Sequence, residues 1–158
     1  MSFFPDLTSY TYYRWDARPN TINIGWLDKA QRFEEGSTDE EIVQRLWKFC
    51  ECSVAQTRGF HLCNLPGCEN RSELLGPIRA IRGPVALKLG SAEIRVFGRD
   101  GKIYAAPNLI YHYVVEHGYR MPDEFVLALQ ECPAPDSLEY YERLKAVNLE
   151  WSKTLMEG

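Results

Sequence analysis

Hydrophobic and polar positions change period along this chain, and the changes mark its elements. From Glu40 the apolar residues Ile42, Val43, Leu46, Trp47 and Phe49 or Cys50 share one side of a 3.6-residue repeat, which predicts a core-facing helix to about Cys50. Gly36-Ser37-Thr38-Asp39-Glu40-Glu41 precedes it. Ser37 with Glu40, or Thr38 with Glu41, has capping-box spacing, and the acids suit the positive end of the helix.

Elsewhere the period falls to two. Tyr10 to Trp15 and Thr21 to Leu27 alternate aromatic or β-branched residues with polar ones, which predicts two strands joined by a turn at Arg18-Pro-Asn20. Gly25 within the second run marks a bulge or a close backbone approach. Residues 51–77 read as loop. Pro84 to Leu89 and Glu93 to Phe97 follow as strands separated by Gly90-Ser91. Asp100-Gly101 then joins Glu93–Phe97 to Lys102–Ala105, a strong hairpin signal.

The last third is helical. Asn108 to His117 is apolar on most sides and stops at Gly118, which predicts a buried helix with a glycine C-terminal cap. Met121 to Asp123 opens a short helix that ends before Pro133 and Pro135. Asp136 or Ser137 starts a final one, with Leu138, Tyr141, Leu144, Val147, Trp151 and Leu155 on one stripe. The sum is an α+β fold: one domain over residues 1–158, an antiparallel sheet packed with helices, and a metal-binding loop.

Composition changes this picture little. A chain of 158 residues buries roughly two thirds of its unfolded surface and does not need a metal merely to fold. The net charge of -4 argues against a general nucleic-acid binder, which needs cations against phosphate. Arg79, Arg82 and Lys88 lie close in sequence without forming a run. No secretory leader and no span of ~20 apolar residues is visible, so the expectation is a cytoplasmic protein with no membrane partner.

The cysteines change the picture more. Four of the five, with one of three histidines, fall in Cys50-Glu-Cys52…His61-Leu-Cys63-Asn-Leu-Pro-Gly-Cys68. In a reducing compartment such a cluster reads as metal chemistry before disulfides. Zinc prefers thiolate and imidazole in a tetrahedron of bonds about 2.0 to 2.3 Å long. Pro66-Gly67 favours a reversal that turns Cys68 back toward Cys63. His61 and Cys63 share a face if the segment is extended. The expected ligand set is therefore Cys50, His61, Cys63 and Cys68, with Cys52 as substitute for Cys50. Four protein ligands close the site and make the zinc structural. A zinc-deaminase reading fails, because His61 is followed by Leu62 and Cys63 rather than by the glutamate that chemistry needs.

Other chemistry is weaker. His112 and His117 sit about 140° apart around a helix, which disfavours one shared metal. His112 and Glu116 are four apart and within reach, as an oriented general base requires. The aromatic N-terminal residues Tyr10, Tyr12, Tyr13, Trp15 and Trp26 suit either core pairs or a binding surface.

Asn23-Ile-Gly-Trp-Leu-Asp28, Thr57-Arg-Gly-Phe-His61-Leu-Cys63 with Cys50 and Cys68, Glu93-Ile-Arg-Val96, and Tyr104-Ala-Ala-Pro-Asn-Leu-Ile-Tyr-His-Tyr113 with His117-Gly-Tyr119 form long blocks. They resemble an uncharacterised family of small bacterial proteins, a domain of unknown function, over about residues 10–128. The resemblance implies that Cys50 rather than Cys52 joins the cluster. It also implies that Arg58, His112 and His117 matter. It carries no activity.

The function expected is therefore zinc-stabilised binding of another macromolecule, a protein, in an immunity-type or regulatory role. The acidic balance suits a basic partner. The rivals are a hydrolase with an open zinc or a His112/His117 site, and a redox thiol module with a low-pKa cysteine.

Overall fold

The computed structural model describes residues 3–10, 20–57, 59–68 and 76–149. Residues 11–15 of the expected first strand, most of its turn, Arg58 and the end of the last helix lie outside the described residues.

The described elements run β1 (Thr21–Asn23), α1 (Glu40–Glu51), β2 (Ile78–Arg82), β3 (Val85–Leu89), β4 (Glu93–Phe97), β5 (Ile103–Pro107), α2 (Ile110–His117), α3 (Asp123–Glu131) and α4 (Leu138–Ala146). The fold is α+β. One sheet has the order β1-β5-β4, and β2 pairs with β3 in a separate hairpin.

The larger sheet is mixed. β4 and β5 form the expected antiparallel pair, Glu93 opposite Pro107 through Phe97 opposite Ile103. β1 lies parallel to β5, with Thr21 opposite Ile103. The N-terminal segment continues this edge through isolated bridges Phe4–Trp26 and Ser9–Ile22. The sequence suggested neither the parallel pairing nor β2. Ile-Arg-Ala-Ile-Arg is a short run whose apolar positions alternate only once before Gly83 interrupts it. β3 turns back onto β2 rather than forward onto β4, with Ile78 opposite Leu89.

α1 buries Ile42, Val43, Leu46, Trp47, Phe49 and Cys50, as its 3.6-residue period requires. It starts one residue later than a Thr38 cap would place it. Asp39 is the N-cap, without a side-chain capping bond; Glu40 and Glu41 in the first turn suit the positive end of the dipole, and Glu40 also pairs with Arg82. Ser137 does cap α4, accepting from the Tyr140 amide. Gly118 ends α2 in the left-handed conformation at φ 65°.

α1 packs on α2, α3 and β4, and α3 also meets β4. Edge-on aromatic contacts lock this layer: Phe49 and Phe97 each meet Tyr140 at 5.6 and 5.4 Å, and Trp47 meets Tyr111 at 4.8 Å. A buried charged pair sits within β4. Arg95 donates to Glu93 Oε1 at 2.8 Å, Tyr10 donates to the same oxygen at 2.9 Å, and the guanidinium lies 4.8 Å from the Tyr10 ring centroid.

Candidate metal centre

The loop of residues 61–68 is held in place by polar contacts at both ends. The His61 amide donates to the Gly90 carbonyl at 2.9 Å. Gly90 has φ 111°, and a Cβ on it would lie 2.3 Å from the His61 carbonyl oxygen. Only glycine admits this approach. Asn108, 1% exposed, ties the same region to α2: its Oδ1 accepts from the Gly90 amide at 2.8 Å and its Nδ2 donates to Ser53 Oγ at 3.4 Å. At the other end Asn64 donates to Asp28 Oδ1 at 2.7 Å and accepts from the Lys29 amide at 3.0 Å. Buried Cys63 and Leu65 anchor the loop in the core.

The Pro-Gly reversal forms as expected. The Cys68 amide donates to the Leu65 carbonyl at 2.9 Å, and Gly67 sits at φ 99°. This is the type II geometry that places proline second and glycine third. It swings Cys68 beside Cys63. α2 supplies the partners. His117 Nε2 lies 3.4 Å from Cys63 Sγ, 3.5 Å from Cys68 Sγ and 3.2 Å from His112 Nε2, and His112 Nε2 lies 3.5 Å from Cys68 Sγ. All four ligand atoms lie within 4.8 Å of one another. Cys63 and His112 are buried, and Cys68 and His117 are half-buried.

These four side chains can hold a metal ion. In a tetrahedron, metal–nitrogen bonds of about 2.05 Å and metal–sulfur bonds of about 2.3 Å give an N–N edge of about 3.3 Å and an S–N edge of about 3.6 Å. The His112–His117 distance of 3.2 Å and the three sulfur–nitrogen distances of 3.4 to 3.5 Å fall close to those edges.

The cluster shares Cys63 and Cys68 with the expected set and differs in its other two members. Cys50 is fully buried, and its thiol points at the Asn108 carbonyl at 3.6 Å. It packs as a small apolar residue at the end of α1. His61 is held by its backbone, and burial lowers the pKa of its ring. Cys52 is also buried away from the cluster, its thiol pushed up to about 12 by burial.

The helical objection to His112 and His117 does not hold. Each lies about 70° to either side of a common line along α2. Side chains on a helix lean toward its N-terminus, which carries the His117 ring back toward His112. The ring centroids are 4.9 Å apart. The signal was readable: Cys63-x4-Cys68 with His112-x4-His117 fits the spacing of paired cysteines and paired histidines in Cys2His2 sites, stretched by a long intervening segment.

Burial sets the electrostatics. It pushes the Cys63 thiol up to about 12, against a hydrogen bond from the Leu65 backbone. It lowers the His117 pKa. Without an ion the site is therefore neutral at Cys63. Burial likewise raises the thiols of Cys50, Cys52 and Cys132. That is the reverse of the activated thiolate a redox module needs, and it removes support from that reading.

An α+β domain with a two-cysteine, two-histidine cluster between a tight loop and a buried helix is the class this chain defines. The chain belongs to the domain-of-unknown-function family DUF7919, whose model matches residues 2–130 and so spans all four cluster residues. No curated protein and no solved structure matches it. No helix among the described residues is long and apolar enough to cross a membrane.

Proposed function

We propose that this chain is a zinc-stabilised protein-binding domain. One zinc ion, held by Cys63, Cys68, His112 and His117, staples the 61–68 loop to α2. The convergence of two sulfurs and two imidazole nitrogens within 4.8 Å of one another carries this reading. Two thiolates and two imidazoles suit zinc over the hard cations, which take oxygen ligands. Four protein ligands leave no coordination position for water, so the ion's role is structural. A fixed loop on a rigid scaffold then serves recognition.

Metal analysis of the purified chain tests it. Wild type is expected to carry about one equivalent of zinc, and Cys63→Ser, Cys68→Ser, His112→Asn and His117→Asn each to lose it. Cys50→Ser and His61→Asn are expected to retain it. Full occupancy in the four cluster variants defeats the proposal.

One observation favours the hydrolase reading. His117 also lines a cleft of about 760 Å³ with Glu116, Tyr111, Arg82, Glu40 and Ser37. Arg82 there pairs with Glu40 and donates to Tyr111 Oη at 3.1 Å. Cobalt substitution separates the two. A closed site keeps its tetrahedral spectrum when azide is added, whereas an open site binds the azide and changes colour.

A further inference from the structure

We propose that the outward face of the β2–β3 hairpin docks an extended acidic segment of the partner protein. This rests on the protein-binding reading and names its surface; the local charge of that face, rather than the chain's overall acidity that suggested a basic partner, sets the chemistry of the ligand.

The hairpin has two unlike faces. Ile78, Leu87 and Leu89 point into the core. Arg79, Ile81, Ala86 and Lys88 point outward and are exposed. The register sets Arg79 directly opposite Lys88, and Ile81 directly opposite Ala86. Like charges directly opposite each other weaken a hairpin. Here no carboxylate among the described residues relieves them. Arg82, Arg95, Arg99, Arg120 and Arg143 each pair with an aspartate or glutamate, whereas Arg79 and Lys88 pair with none. Lys29, Arg32, Arg45, Lys102 and Lys145 likewise form no ion pair among the described residues, so Arg79 and Lys88 are set apart by facing each other across the ladder. The chain as a whole carries a charge of -4, so two cations facing each other across one hairpin make a local positive patch.

Beside that pair, Ile81 is 74% exposed. Its small neighbour Ala86 leaves the isoleucine standing proud. Arg79 and Ile81 are two residues apart on one face, about 6.8 Å along the strand. The complement is an extended segment with a carboxylate at one position and an apolar side chain two positions on. A nucleic acid fits less well. Its bases stack best on aromatic side chains, which Arg79, Ile81, Ala86 and Lys88 do not supply, and the net negative charge repels its phosphates.

A synthetic peptide alternating glutamate and valine serves as probe, with its lysine–valine counterpart and a single-stranded oligonucleotide as controls. The protein is the zinc-loaded full chain, labelled with ¹⁵N. The acidic peptide is expected to move the amide resonances of residues 78–89, and the lysine peptide to leave them in place. Affinity is expected to fall at least about tenfold in Arg79→Glu/Lys88→Glu and in Ile81→Ser. Zinc content and melting temperature of these surface variants should match wild type, which keeps a folding defect from imitating the result. Unmoved resonances at 78–89, or equal affinity in the variants, overturns the proposal. So does an oligonucleotide that binds this face as tightly as the peptide. Peptide binding that maps elsewhere overturns this surface and leaves the protein-binding reading standing.

Discussion

Single side chains in this domain act through burial. Glu93 and Arg95 are 4% and 2% exposed, so each holds the other's charge in a medium that would not accept it alone. Glu93→Gln removes the anion, leaves the guanidinium inside, and is expected to cost about 3–5 kcal/mol in urea unfolding. Cys132 makes a gentler case. It accepts from the Phe97 amide at 3.4 Å, and burial lifts its thiol from 9.0 to about 11. The unfolded chain therefore loses this proton first as pH rises. Stability from this group is whole below pH 9 and declines between about pH 9 and pH 11. Cys132→Ser keeps an acceptor for Phe97 and removes the thiol. Its unfolding free energy is expected to fall less steeply than that of wild type across that window.

Elements were legible where one period ran long enough. α1 declared itself through six apolar positions, α2 through its unbroken apolar run and Gly118, and β4–β5 through Asp100-Gly101. β2 stayed hidden because five residues with two arginines look like loop until Leu87 and Leu89 are seen beneath them. The candidate site was half legible for a related reason. Cys63 and Cys68 lie on one tight turn, so local sequence pairs them. His112 and His117 arrive from an element more than forty residues on, and only tertiary packing brings them in. Cys50 is near in sequence, while its helix turns it to Asn108. The bond from His61 to Gly90 is the joint where loop and scaffold meet, and it can be tested. Gly90→Ala forces a Cβ to 2.3 Å from the His61 carbonyl at φ 111°. The expected cost is roughly 2 kcal/mol or more. The displaced loop should also bind zinc more weakly, measured by competition with a chromophoric chelator.

At the scale of the molecule the question is what the proposed zinc ion would add to a chain that already has a core. The apolar cluster joins α1, α2, α3, α4 and the strands without needing a metal bond. The 61–68 segment instead has no helix or strand of its own, and Cys63 and Leu65 are its buried anchors. Removing zinc should therefore loosen one loop rather than unfold the protein. With free zinc at a thousand times its dissociation constant, binding adds about 4 kcal/mol to stability. For a chain of this size that amounts to roughly 10 °C in melting temperature. A chelator is expected to lower the melting temperature by about that much while leaving the far-ultraviolet circular dichroism nearly unchanged. Amide exchange should quicken at 61–68 and at the end of α2, and stay slow in β4 and β5. Loss of the whole helical signal on chelation would instead mean that the ion nucleates the core. The buried Asn108 contacts, which join Gly90, Ser53 and Cys50 without any metal ligand, argue for the first outcome.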